Sequence, residues 1–128
     1  MVGIVIVSHS SALAEGVKEF AQAMAKDCPI ATAGGMADGS YGTSYELISS
    51  AIDSVTGADG VIVLVDMGSS IMTTEMVIEE KDNNKIKLAD CPLAEGAMAA
   101  AVDSEMGMPL DDILTDLTQI WNERKLDY

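Results

Sequence analysis

The chain is 128 residues long, sufficient for one domain (residues 1–128) with a real hydrophobic core. Lys and Arg total 7 against 21 Asp and Glu, a formal net charge of −14. Such a surface argues against nucleic acid and anionic membranes as partners, because like charges repel, and it permits docking to a basic protein face.

Aromatic residues make up only 4% of the chain, so the core must be built from Val, Ile, Leu, Ala and the 9 Met. No apolar run approaches membrane-spanning length, and no basic region precedes the first apolar stretch as it would in a secretory signal. The expected location is the cytoplasm. Cys28 and Cys91 lie far apart with no C-x-x-C pattern, and read as reduced thiols at element boundaries, each followed by a proline.

In chain order, Ile4-Val5-Ile6-Val7 reads as a buried strand of β-branched residues. Ser8-His9-Ser10-Ser11 follows and contains the only histidine. Helical spacing then places Leu13, Val17, Phe20 and Met24 on one face and persists to about Lys26, ahead of Pro29. Ile30–Ala33 is a weaker strand. The glycine-rich run from Gly34 to Gly42 matches neither G-x-G-x-x-G nor the P-loop, and reads as a turn needing several positive φ angles.

Thr43-Ser44-Tyr45-Glu46 has the form of a capping box, with Thr43 capping and Glu46 reaching back. The helix it opens should bury Ile48, Ala51, Ile52 and Val55 and end at Gly57. Val61–Val65 is a second strong apolar strand, leaving through Asp66-Met67-Gly68-Ser69-Ser70 into a helix from about Ser70 to Glu80. After a turn at Asp82-Asn83-Asn84, Ile86–Ala89 forms a fourth strand. Pro92 opens a helix whose Leu93, Ala97, Ala100 and Ala101 make a face suited to close packing, broken at Gly107. Pro109 starts a last helix with an apolar stripe of Leu110, Ile113, Leu114, Leu117, Ile120 and Trp121, and the Asp127-Tyr128 tail should fray.

Strands alternating with helices predict an α/β fold, a doubly wound and mostly parallel sheet of four or five strands with helices on both faces. With strand order 2-1-3-4, the winding reverses between strands one and three, which is where such sheets bind ligands. The residues leaving those strands are His9 and Asp66. A carboxylate holding one ring nitrogen fixes the tautomer and leaves the other nitrogen able to accept a phosphoryl group. Amides of the His9 turn and of the Gly68-Ser69-Ser70 turn, with the hydroxyls of Ser10, Ser11, Ser69 and Ser70, are candidate phosphate ligands. Gly68 would allow close backbone approach.

Each of these residues also has a plain structural reading, since Ser and Asp commonly cap helices. Serine hydrolysis lacks a G-x-S-x-G elbow, and a metal site lacks a second strong nitrogen or sulfur ligand near His9.

Four segments together resemble the DhaM family, the phosphoryl-transfer subunits of phosphoenolpyruvate-dependent dihydroxyacetone kinases. They are Ile4–Ser11 with Leu13, Glu15 and Gly16; Gly42-Thr43; Val65–Ser69; and Cys91–Gly96. The first domain of that family is similar to mannose-type IIA domains of the sugar phosphotransferase system, which are α/β and commonly homodimeric. The resemblance implies that the phosphocarrier HPr phosphorylates His9. It further implies that His9 passes the group to ADP on a DhaL subunit, regenerating ATP for DhaK. Asp66 matches the aspartate beside the family's histidine, and Ser69 falls in the phosphate-binding turn. Glu95 matches the family pattern without an assigned role.

No permanently bound cofactor is implied, only a transient phosphoryl group on His9. Some members append HPr-like and Enzyme I-like domains, which this chain lacks up to Tyr128, so the phosphate is expected from separate proteins. Two alternatives stand beside this reading. One is a mannose-type IIA domain donating to a IIB protein, whose turn carries Gly-Gly-Ser after the aspartate. The other is a regulatory module that only binds.

Overall fold

The computed structural model describes residues 1–128. Four strands, β1 (Gly3–Ser8), β2 (Ile30–Gly34), β3 (Val61–Val65) and β4 (Ile86–Leu88), alternate with α1 (Ser11–Gln22), α2 (Tyr45–Val55) and α3 (Ser69–Lys81). Two further helices, α4 (Leu93–Glu105) and α5 (Leu110–Gln119), follow, and a 3-10 turn covers Ile120–Asn122. All strands pair in parallel, in the order β2-β1-β3-β4 that the sequence reading took as its premise. No helix is long and apolar enough to cross a membrane.

The two central strands are apolar from Ile4 to Val7 and from Val61 to Val65 because both of their faces are covered. Ile4, Ile6, Ile62 and Leu64 face one way and pack with residues of α1, α4 and α5. Val5, Val7, Val61 and Val63 face the other way, against α2 and α3. This alternation is the two-residue period of a strand expressed on both sides at once.

The buried stripe of α1 differs from the expected one. Ala14, Val17 and Ala21 are buried, with Ala25 beyond the helix end, whereas Leu13, Phe20 and Met24 are 47%, 51% and 67% exposed. The reason is proximity. A Cβ added at Gly34 of β2 would lie 2.6 Å from the Ser11 Cα and 2.9 Å from the Ala14 Cβ, so α1 sits too close to the sheet for bulky side chains. The small face of α4, with Ala97, Ala100 and Ala101 at 0% exposure, allows equally close approach from its side. The helix also stops at Gln22 rather than near Lys26.

Two other expectations are revised. Ser44, not Thr43, caps α2, its hydroxyl accepting the Leu47 N–H at 3.2 Å. Thr43 is held extended in a parallel bridge with Gly35, which turns its hydroxyl to another use. Trp121 lies outside the α5 stripe because a 3-10 turn replaces the α-helix at Ile120, and its indole N–H reaches the Asp90 carbonyl and carboxylate instead. The glycine-rich loop does take positive φ at Gly35, Gly39 and Gly42. Both cysteines are free and buried.

Candidate active site

β1 and β3 run side by side with Val7 opposite Val65. The next residues to leave the sheet, Ser8-His9 on one strand and Asp66 on the other, therefore emerge together at its carboxyl edge, and the Asp66 N–H still bonds the Val7 carbonyl at 3.2 Å. The helices α1 and α3 begin within three residues of these positions, so two helix N-termini border the same spot. Each end carries partial positive charge from its unpaired amides.

Asp66 is the hub. Its Oδ2 accepts the His9 N–H at 2.9 Å and the Ser8 hydroxyl at 3.0 Å, and its Oδ1 accepts the Met67 N–H at 2.7 Å. The His9 Nδ1 lies 3.1 Å from Oδ1. Partial burial alone would push the carboxyl up. The hydrogen bonds from the His9 amide, the Ser70 hydroxyl, the Met67 amide and the Ser8 hydroxyl outweigh that and bring it down to about 2. A group so strongly ionised accepts and does not donate, so the proton between it and the ring belongs to Nδ1. In the neutral ring, Nε2 then keeps its lone pair.

Nε2 lies 2.9 Å from the Ser69 Oγ, and that oxygen lies 2.8 Å from the Thr43 Oγ1. Ser70, fully buried, puts its hydroxyl 3.2 Å from Nδ1. The imidazole is 34% exposed and the carboxylate 16%, so the ring is reachable from solvent while its anchor is sheltered.

The expected phosphate ligands separate into two groups. The His9 and Ser10 amides are already used, by Asp66 and by the Ser8 hydroxyl at 3.0 Å. The amides of Ser11 and Ala12 at α1 and of Gly68 and Ser69 at α3 donate to no group in the chain. Gly68 has φ 56° and no atom within 4 Å of an added Cβ. Its glycine thus serves the backbone angle, with open space above it. The Ser10 hydroxyl caps α1 by accepting the Leu13 N–H at 3.1 Å, and the exposed Ser11 hydroxyl bonds nothing in the chain. Thr43 and Ser8 join the site without having been singled out for it. The signal for Ser8 was its position beside His9; Thr43 matched a helix cap equally well.

The Cys91 thiol, pushed up to about 11 by burial and by the Asp90 and Glu95 charges, is no competing nucleophile. The largest cavity, about 700 Å³ between α4, α5 and residues 119–125, does not include His9.

Residues 3–114 match the family described as the PTS system fructose IIA component, EIIA-man. The chain is 41% identical over 123 residues to the DhaM phosphoryl donor subunit of the PEP-dependent dihydroxyacetone kinase of Escherichia coli K12, covering 91% of this chain. It spans only 26% of that relative's length. It is 36% identical over 124 residues to the DhaM phosphoryl donor subunit of PEP-dependent dihydroxyacetone kinase 2 from Listeria innocua, covering 94% of this chain and 99% of the relative. The crystal structure of EF1359, a protein of unknown function, superposes with a TM-score of 0.84 at 27% identity over 98% of both chains. The chain therefore belongs to the EIIA-man family and, by its near full-length match to the Listeria subunit, to the DhaM branch of it.

Proposed function

We propose that His9 is a phosphoryl carrier, taking the group on Nε2 from HPr and handing it to ADP held on a DhaL subunit of a dihydroxyacetone kinase. The observation that carries this reading is the contact of 3.1 Å between Nδ1 and the Asp66 carboxylate, which favours one tautomer of the ring. Asp66 lies within hydrogen-bond distance of Nδ1, so the neutral ring carries its proton there and presents the Nε2 lone pair at a partly exposed position. A hydrolase would have to activate water beside the nitrogen; a carrier needs only the nitrogen and a cradle for three oxygens. The free amides at the starts of α1 and α3 and the Ser69 hydroxyl supply that cradle. Ser10 and Ser11 contribute through the N-terminus of α1, Ser10 by holding its first turn. The names of the relatives, phosphoryl donor subunits, agree with a transferase role. In this reading no cofactor is resident, the protein works in the cytoplasm, and it acts as a homodimer.

Incubation with phosphoenolpyruvate, Enzyme I and HPr tests the uptake step. Intact mass should rise by one phosphoryl group in the wild type and not in His9→Ala. Mixing the phosphorylated chain with ADP–DhaL and, separately, with a mannose-type IIB protein tests the acceptor. Transfer to IIB with none to ADP would overturn the assignment.

A further inference from the structure

With Nδ1–H engaged by Asp66, Nε2 of the neutral ring, the form that can accept a phosphoryl group, has only a lone pair to offer. Ser69 must therefore be the donor across their 2.9 Å contact. A serine hydroxyl has one proton. The Ser69 Oγ consequently meets the Thr43 Oγ1, 2.8 Å away, as an acceptor, and the Thr43 O–H donates. The backbone around Thr43 is tied to the same turn. The Gly42 N–H donates to the His9 carbonyl at 3.1 Å and the Gly35 N–H to the Ser8 carbonyl at 2.9 Å, while Gly35 and Thr43 pair as a bridge. Gly35 itself admits no side chain, since a Cβ would lie 2.8 Å from the Ser40 carbonyl oxygen. The glycine-rich loop thus brings a hydroxyl to the ring and holds it there.

We propose that Thr43 is a positioning residue for phosphoryl transfer: its hydroxyl orients Ser69 toward Nε2 before transfer, and both hydroxyls turn to the phosphoryl oxygens afterwards. This rests on His9 being the acceptor. In the step itself the Nε2 lone pair forms the new N–P bond as the bond from phosphorus to the donor breaks, its electron pair leaving with the donor. The Nδ1 proton stays in place. Ser69 releases Nε2 as the phosphorus arrives, and its proton finds a phosphoryl oxygen. Thr43 holds the Ser69 oxygen at the mouth of the site until the phosphorus arrives, so the donor is already in place when charge arrives.

Phosphoramidate, a small phosphoryl donor that needs no docking surface, tests this on the full chain. The single histidine makes intact mass an unambiguous count. Thr43→Val should be labelled roughly five- to tenfold more slowly than wild type, the effect of one neutral hydrogen bond. Its His9 Nε2 resonance should move in the ¹⁵N spectrum while Nδ1 does not. Thr43→Ser should restore both. Wild-type speed with an unmoved Nε2 in Thr43→Val overturns the proposal, as does a Thr43→Ser as slow as the valine variant, which would make the residue a matter of packing. A wild type that takes no label overturns the proposal together with the acceptor role of His9. Labelling by phosphoramidate but not by HPr counts against the assigned donor alone, because the Thr43 comparison is then still read from the phosphoramidate rates.

Discussion

Replacing Asp66 by asparagine isolates the charge at the hub of the site. Five groups converge on the two carboxylate oxygens: the His9 and Met67 amides, the Ser8 and Ser70 hydroxyls and Nδ1. An asparagine amide can accept on one side only, so at least one of these donors loses its acceptor and the rest lose the charge that strengthens their bonds. The carboxyl is lowered from an ordinary 3.8 to about 2 in the folded protein. Because the folded value is the lower one, the ionised group stabilises the fold above about pH 4, and that contribution disappears as pH falls toward 2. The difference corresponds to about 2 kcal/mol, and the carboxylate is only 16% exposed. Protonated aspartic acid resembles asparagine in having one accepting oxygen, so the two proteins should converge at low pH. Urea unfolding followed by circular dichroism measures this directly. At pH 7 the Asp66→Asn midpoint should fall by about 1 M, given a urea slope of roughly 2 kcal/mol per molar. Near pH 2.5 the gap should have closed by more than half. An equal gap at both pH values would refute the inference that charge, rather than shape, is what Asp66 contributes.

Other perturbations read other parts of the structure. Ser69→Ala should slow labelling of His9 about tenfold, the effect of losing one hydrogen bond of about 1.4 kcal/mol, without moving the urea midpoint; unchanged labelling would remove Ser69 from the site. Gly34→Ala places a methyl 2.6 Å from the Ser11 Cα and 2.7 Å from the Ser10 carbonyl oxygen, both backbone atoms. It should therefore destabilise by about 2 kcal/mol or more in a urea titration, and displace the start of α1. Asp103, pushed up to about 6 by burial and the adjoining Asp116, has a side-chain oxygen buried without a partner. Its charge opposes folding fully above about pH 6 and not at all below about pH 4. Asp103→Asn should accordingly stabilise at pH 7 by about 1 kcal/mol or more, with no gain at pH 3.5.

The sheet was legible because its strands are short apolar runs bounded by turn residues, and parallel α/β chains have few ways to wind. The order 2-1-3-4 entered as a premise, and the structure has it; under that order His9 and Asp66 come to one edge. The pairing follows from where two strands end, and strand ends are marked locally by Ser8 and Asp66. The buried face of α1 was not legible. Leu13, Val17, Phe20 and Met24 satisfy helical spacing as well as Ala14, Val17 and Ala21 do, and bulk favours the first set when residues are ranked by hydropathy alone.

Local chemistry thus determined the element types and marked His9 and Asp66 as the residues leaving two strong strands, because each depends on patterns a few residues long. Only the packed structure decided which stripe of α1 meets the sheet, because that depends on how closely Gly34 and the alanines of α4 let the helix approach. It alone decided that Thr43 serves Ser69 rather than a helix end. A hydroxyl takes the nearest well-placed partner in space, and that partner lies 26 residues away in the chain.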